Sequence, residues 1–138
     1  MIRLTRSYEF PAAHVLAAES LSDAENDEIF GKCANPNGHG HNYGVEVTLT
    51  GRVDPATGQL IAIEQLDAIF DEAVREPFSH RMLNELDAFA GLVPTAENIA
   101  RVVHGVLEPM LADRTSARLA QVRIVETASN SFEYGEAR

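Results

Sequence analysis

Hydrophobic and polar residues alternate in four stretches of the chain, and this alternation predicts β-strands. Successive side chains of a strand point to opposite faces, so alternation indicates one buried and one exposed face. The predicted strands are residues 2–10, 41–51, 119–127 and 130–135. In the third of these, the pattern places Leu119 and Val125 on one face and Val122 and Ile124 on the other.

Apolar residues recur at helical spacing between the second and third predicted strands. The first such run predicts a helix over residues 64–76 that Pro77 should end, and the second begins after Thr95, a good N-cap. Ser22 and Glu25 have the spacing of a capping box, which predicts one or two further helical turns. The order strand, strand, helix, helix, strand, strand indicates an α+β fold, with two helices on one face of an antiparallel sheet. Because no repeat or linker interrupts this order, we expect one domain over residues 1–138.

Composition narrows the classes of partner. The 138 residues include 11 Lys and Arg, 21 Asp and Glu, five His and one Cys, which gives a formal net charge of −10. This charge argues against nucleic acid or an anionic membrane as the main partner. It does not exclude an anionic small molecule, because a binding site needs only a local field. A lone cysteine, no apolar run of membrane-spanning length and no signal-peptide pattern predict a cytoplasmic location.

Histidines carry the first candidate chemistry. His39 and His41 are two residues apart, so on an extended chain both side chains lie on one face and can bind the same ion. His14 follows the first strand, and a hairpin could bring it beside the pair. Three imidazoles on Zn²⁺ leave a fourth position open, which is typical of catalytic zinc. Two alternatives stay open: histidines that only form hydrogen bonds in the sheet, and a closed structural zinc that also uses Cys33.

Cys33 lies in a loop rich in Gly, Asn and Pro, next to Lys32. A lone cysteine is most often a small buried apolar residue. Here, a nearby cation and a metal are expected to lower the pKa of the thiol and favour the thiolate. A thiolate beside an open zinc is suited to removing a proton from a carbon next to an oxygen that the metal polarises.

Five motifs resemble the 6-pyruvoyl-tetrahydropterin synthase family, which includes the bacterial 6-carboxytetrahydropterin synthases of deazaguanine biosynthesis. They are FPAAH at residues 10–14, the stretch 21–43, DPATG at 54–58, PTAEN at 94–98 and VET at 125–127. The resemblance implies the tunnelling fold (T-fold), in which three four-stranded sheets join into a barrel and two trimers stack. We therefore expect a homo-oligomer, either a trimer or a dimer of trimers.

The resemblance also implies an activity and its residues. The family's substrate is 7,8-dihydroneopterin triphosphate, and its zinc ligands correspond to His14, His39 and His41. Cys33 corresponds to the catalytic base and His80 to a second proton-transfer residue. Five residues separate Cys33 from His39, as in the pyruvoyl synthases, whereas the gap in the commoner bacterial carboxy-synthases is shorter.

Three more residues correspond to pterin-binding positions of the family. Glu126 corresponds to the carboxylate that accepts hydrogen bonds from the pterin ring, although a solvent-facing strand charge would have the same sequence pattern. Thr95 and Glu97 correspond to a motif near the pterin, and a helix cap explains them equally well.

The chain departs from the family pattern at one position. The family has an Asp before its proton-transfer His, whereas this chain has Ser79 before His80. A hydroxyl can orient an imidazole but cannot stabilise its charged form. Three outcomes are open: Glu85 or Asp87 substitutes for the Asp, the pair is dispensable for a related reaction, or the protein binds pterins with poor turnover.

The predicted function is thus a zinc-dependent lyase that acts on the pterin triphosphate and forms 6-pyruvoyl-tetrahydropterin. The alternatives are synthesis of 6-carboxytetrahydropterin, cleavage of the pterin side chain, and binding of a pterin or purine without efficient catalysis.

Overall fold

Four antiparallel strands form a single sheet in the order β1-β2-β3-β4. In the computed structural model, which describes residues 1–136, the helices lie between β1 and β2 and between β2 and β3. The strands are β1 (Ile2–His14), β2 (His39–Gly51), β3 (Arg118–Val125) and β4 (Ser131–Gly135). The helices are α1 (Asp23–Phe30), α2 (Ile63–Phe70), α3 (Glu76–Phe78) and α4 (Ala96–Arg114). The predicted α+β fold is confirmed, and residues 137 and 138 of the predicted domain lie outside the described residues.

Alternation along β1 and β2 directs one face of the sheet toward α2 and α4. Phe10 and Tyr43 from this face are fully buried, and so are Leu66 of α2 and Ile99 of α4. The helices thus cover one face of the sheet, and β1 and β4 form its two edges. Within residues 1–136, none of the helices combines the length and apolar character needed to cross a membrane.

A β-bulge changes the predicted faces of β3. Leu49 of β2 pairs with Leu119, whereas Thr48 pairs with Gln121, so Ala120 is an extra residue in β3. One extra residue inverts the alternation that follows it. Leu119, Val122 and Ile124 therefore all reach the same core, and the prediction that Leu119 lies on the opposite face was wrong.

Helix ends follow local signals with one exception. Ser22 caps α1 in a complete capping box with Glu25, as predicted. The predicted end at Pro77 was wrong, because α2 passes through a π-helical turn (Asp71–Arg75) into α3, which contains Pro77 in its first turn. The Glu76 amide, just before Pro77, donates to the Asp71 carbonyl five residues back, so the proline follows a local departure from the α-helical hydrogen-bond pattern.

The segment after α3 joins the outer edge of β1. The His80 amide donates to the Pro11 carbonyl at 2.7 Å, and the Ala13 amide donates to the Arg81 carbonyl at 2.9 Å. The Asn84 side chain also exchanges two 2.8 Å hydrogen bonds with the Val15 backbone. The end of β1 that bears His14 is therefore held on both sides.

Gly135 allows β4 to pack on the bulge, and its replacement tests this packing. Gly135 has a φ of 128°, and an added Cβ would overlap the Ala120 carbonyl oxygen and lie 2.9 Å from Cα of Gln121. We expect Gly135→Ala to lower the free energy of unfolding by about 2–4 kcal/mol, from strained φ and overpacking together. Urea unfolding, followed by circular dichroism at fixed protein concentration, measures the change.

Gly58→Ala is the matched control, because Gly58 also has a positive φ, 73°, but an added Cβ there meets no atom within 4 Å. We expect it to lower the free energy of unfolding by only about 1 kcal/mol. Equal losses in the two variants would show that the bulge is not tightly packed against β4.

Candidate functional site

Strand pairing brings three histidines to one end of the sheet. In the register of β1 with β2, His14 lies directly opposite His39, and His41 lies opposite Ala12. Residues 14, 39 and 41 share the face that bears the core, and His14 is completely buried while the other two are half-buried. The three imidazoles therefore form a cluster at the boundary between the core and solvent.

His14, His41 and Cys33 form the most compact donor group. Nε2 of His14 lies 3.1 Å from Nε2 of His41, and the ligand atoms of the three residues lie within 4.8 Å of one another. Among residues 1–136, this is the only set of three or more such side chains with that spacing. The ring of His39, a predicted ligand, packs beside the group, with its centroid 4.5 Å from that of His41 and 6.4 Å from that of His14.

Hydrogen bonds fix the orientation of His14. Its Nδ1 lies 2.9 Å from the carbonyl oxygen of Pro94 and 3.0 Å from the hydroxyl of Tyr43. Because a carbonyl oxygen can only accept, Nδ1 carries the proton and donates to Pro94. The lone pair of His14 is therefore on Nε2, the atom that faces His41. Metal-binding histidines commonly have such a partner on the other ring nitrogen.

Burial keeps the paired imidazoles neutral. It is the main cause that lowers the pKa of His14 and of His41, and neighbouring imidazoles lower both further. A neutral ring offers the lone pair that Zn²⁺ requires. Two nitrogens bound to tetrahedral zinc at about 2.0–2.1 Å stand about 3.3 Å apart, close to the observed 3.1 Å. The donor set therefore fits zinc.

The thiol of Cys33 has a different environment from the predicted one. Burial is the main cause that raises its pKa, and the carboxylate of Glu126 raises it further. The expected lowering by Lys32 was therefore wrong for the protein alone, because desolvation and a negative neighbour both disfavour the thiolate. Cys33 lies in a short 3₁₀ turn, Gly31–Ala34. Its carbonyl accepts a hydrogen bond from the Leu16 amide at 2.6 Å, which joins the turn to the chain that leaves β1.

Glu126 lies close enough to act electrostatically on the centre. It directly follows β3, is half-buried, and raises the pKa of His41 and of Tyr43 as well as that of Cys33. The strand order explains this position, since Val125 pairs with Gly44, the residue after Tyr43. A carboxylate thus stands beside the His and Cys donors.

Three other predicted residues are not members of the compact donor group. His80 is exposed, has a φ of 59°, and shares a cleft with His41. Thr95 caps α4 by accepting from the Asn98 amide at 3.2 Å, and Glu97 is exposed in the first turn of that helix. The cap explains Thr95 by structure alone.

The surroundings of Ser79 show whether another carboxylate takes the place of the family's Asp. The Ser79 hydroxyl is buried and has no hydrogen-bond partner among residues 1–136. Glu85 and Asp87, the predicted substitutes, are exposed in two short 3₁₀ turns, and within the described chain neither pairs with His80. No carboxylate of residues 1–136 therefore replaces the missing Asp.

The sequence analysis did not identify two residues that contact His14. Tyr43 belongs to the apolar alternation of β2, which indicates a core residue and hides its hydroxyl contact with His14. Pro94 acts through its carbonyl, 80 positions away from His14 in the sequence. The motif PTAEN pointed to this region, but side-chain chemistry could not reveal a backbone acceptor.

Comparisons of the sequence and of the structure with known proteins agree on one family. The family model described as 6-pyruvoyl tetrahydropterin synthase matches residues 3–137. The 6-pyruvoyl tetrahydrobiopterin synthase of Homo sapiens is 40% identical over 133 residues, which cover 96% of this chain and 90% of the human one. The solved 6-pyruvoyl tetrahydropterin synthase of Caenorhabditis elegans is 38% identical and superposes with a TM-score of 0.87 over 99% of this chain and 96% of that chain.

Metal binding can be tested with His41→Ala. Because this change removes one of two nitrogens that face each other at 3.1 Å, we expect zinc affinity to fall by more than the 10–100-fold typical of losing an outer partner. Competition with a fluorescent chelator measures the affinity. His104→Ala is the matched control, since His104 lies on α4 and pairs with Glu108. Unchanged affinity in His41→Ala would contradict a metal centre here.

Proposed function

Because the chain belongs to the 6-pyruvoyl tetrahydropterin synthase family of enzymes, we propose that it is a zinc-dependent lyase that converts 7,8-dihydroneopterin triphosphate into 6-pyruvoyl-tetrahydropterin. The reaction breaks the carbon–oxygen bond to the triphosphate and moves protons along the pterin side chain. The observation that carries this proposal is the cluster of His14, His41 and Cys33 with the Glu126 carboxylate beside it. The five-residue gap between Cys33 and His39 favours the pyruvoyl product over the carboxy product.

We assign zinc to His14, His39 and His41. The register that sets His14 opposite His39, and the proximity of the His39 and His41 rings, support this assignment. Bound there, zinc would supply Lewis-acid chemistry, holding the side-chain hydroxyls and acidifying the adjacent C–H. The Pro94 carbonyl keeps the His14 lone pair directed toward the other donors.

Cys33 is the proposed base. Its sulfur lies within 4.8 Å of ligand nitrogens of His14 and His41, so a substrate carbon held at the centre is within its reach. It would remove a proton from that carbon as the thiolate. His80 is the proposed second proton-transfer residue, because it lines the cleft that also includes His41.

Glu126 is the proposed pterin anchor. A pterin ring presents N–H and amino hydrogens in one plane, and a carboxylate accepts such a pair in planar geometry. The influence of Glu126 on Cys33, His41 and Tyr43 supports its position near the centre. Thr95 and Glu97 stay predicted as residues near the pterin, with Thr95 already used as a helix cap.

The same proposal includes an oligomer in the cytoplasm. The edges of the sheet are β4 and, up to the residues that the segment after α3 joins, β1, and unpaired strand edges favour pairing with another chain. Joining β1 of one copy to β4 of the next would close the edges, and we propose a trimer or a dimer of trimers.

Cys33→Ala tests the proposed reaction together with the role of the thiol. Incubation with 7,8-dihydroneopterin triphosphate and zinc, followed by mass spectrometry, should show 6-pyruvoyl-tetrahydropterin with the wild-type protein. We expect Cys33→Ala to lose about 10²–10⁴-fold in rate, the usual contribution of a general base, while its zinc content is unchanged.

Two results would contradict this assignment. Wild-type protein that leaves the triphosphate unchanged would reject the proposed reaction. Loss of zinc in Cys33→Ala together with loss of activity would make Cys33 a ligand, as in the closed structural zinc.

A second candidate function is pterin binding with poor turnover. The observation that favours it is Ser79, whose hydroxyl has no hydrogen-bond partner among residues 1–136 and so makes no hydrogen bond to His80. This candidate requires Ser79→Asp to raise the rate of product formation at least tenfold, because a carboxylate stabilises the imidazolium.

Ser79→Asn is the matched control for that substitution, since it has the shape of Asp without its charge. We expect the wild-type enzyme to be active and Ser79→Asp to give no such gain, measured as kcat by product formation. A gain with Asp but not with Asn would establish the binding protein instead.

A further inference from the structure

We propose that Arg81 binds the phosphate chain of the substrate, in the cleft that borders the metal-ligand cluster. This inference rests on the proposed function and adds the cation that recognises the leaving group. It answers a problem set by composition, since a chain with a net charge of −10 must still hold a polyanion.

Half of the ten arginines of this chain already have carboxylate partners. Five of them form ion pairs with carboxylates, and these pairs are Arg6–Asp67, Arg75–Asp71, Arg114–Glu72, Arg118–Glu136 and Arg123–Glu46. The guanidinium of Arg81 is exposed and makes no hydrogen bond or ion pair with any group in residues 1–136. Its charge is therefore available to a ligand.

Arg81 lines the same cleft as His41 and His80, two residues of the proposed reaction site. A cleft of about 560 Å³ is lined by residues 11–13 of β1, 40–42 of β2 and 80–82. His41 belongs both to this lining and to the compact donor group, and His80 is the proposed proton-transfer residue. A phosphate chain in this cleft would thus extend from a side chain held at the metal cluster.

The backbone explains how two consecutive side chains serve one cleft. Neighbouring residues of an extended segment point to opposite sides. His80 has a φ of 59°, in the left-handed region, which interrupts that alternation before Arg81. Hydrogen bonds from the His80 amide to Pro11 and from the Ala13 amide to the Arg81 carbonyl fix this backbone on β1. The guanidinium of Arg81 is therefore exposed on a backbone that β1 holds in place.

The chemistry of arginine suits this ligand. Its planar guanidinium donates two parallel hydrogen bonds to a phosphate, which the ammonium of lysine cannot reproduce. Lys32 precedes Cys33 in the sequence, but it is not among the residues that line the cleft. Among the described residues, Arg81 is the only Lys or Arg in that lining.

Fluorescence titration of the zinc-loaded protein with neopterin and with neopterin triphosphate tests the proposal. These two pterins differ only in the phosphate chain, so the ratio of their dissociation constants isolates its recognition. We expect Arg81→Ala to reduce the preference for the triphosphate at least tenfold and to leave the affinity for neopterin unchanged. Arg81→Lys should recover only part of the preference, because it restores charge without paired donors.

Arg52→Ala is the matched control. Arg52 is exposed and follows β2 at the end opposite His39, about 40 Å away at the usual rise per residue of a strand. It should keep the wild-type preference.

The outcomes separate the two levels of the proposal. Wild-type protein that prefers the triphosphate, with an equal preference in Arg81→Ala, overturns the role of Arg81 and leaves the proposed function standing. Equal binding of both pterins by the wild-type protein also overturns the role of Arg81 and leaves the proposed function standing. Wild-type protein that binds neither pterin overturns the proposed function and the role of Arg81 with it.

Discussion

The antiparallel pairing of β1 with β2 is the constraint on which the site depends. Thirteen residues of each strand pair in one unbroken register, and this register alone sets His14 opposite His39. A slip of one residue would turn every side chain of a strand to the other face, so the apolar core that fixes the register also fixes the histidines. Phe10 and Tyr43, a buried pair in this register, therefore stabilise the fold and position the three histidines at once.

The N-terminus of α4 provides the second fixed point. Thr95 caps the helix, and the carbonyl of Pro94, the residue before it, accepts a hydrogen bond from Nδ1 of His14. Because the cap of α4 and the acceptor for His14 are adjacent residues, a shift of α4 would also turn the His14 ring. Burial of His14 would be costly without such a partner, since an unpaired buried ring N–H loses its hydrogen bond to water. The helix thus contributes to the centre without supplying a ligand.

The sequence predicts the features that depend on neighbouring residues and misses those that depend on distant ones. Alternation predicts the four strands, and the caps at Ser22 and Thr95 are confirmed because a cap is decided within four residues. The bulge at Ala120 is not predictable, since it depends on which residue of β2 lies opposite. For the same reason, the environment of Cys33 could not be predicted: Lys32 is its neighbour in sequence, whereas Glu126 is its neighbour in space.

Opposite charges at two places give the proposed substrate a direction. A pterin ring presents hydrogen-bond donors and requires an acceptor, which Glu126 would supply under the proposed function. A phosphate chain requires donors, which the proposed role of Arg81 would supply. Exchanging the two ends would set a phosphate against a carboxylate, and this repulsion excludes the reversed orientation as effectively as the attraction selects the productive one. An acidic chain is an advantage here, because ion pairs neutralise arginines elsewhere and leave Arg81 as the one free cation of the described cleft. Under this proposal, local charge rather than net charge determines which end of a polyanion can approach the compact donor group.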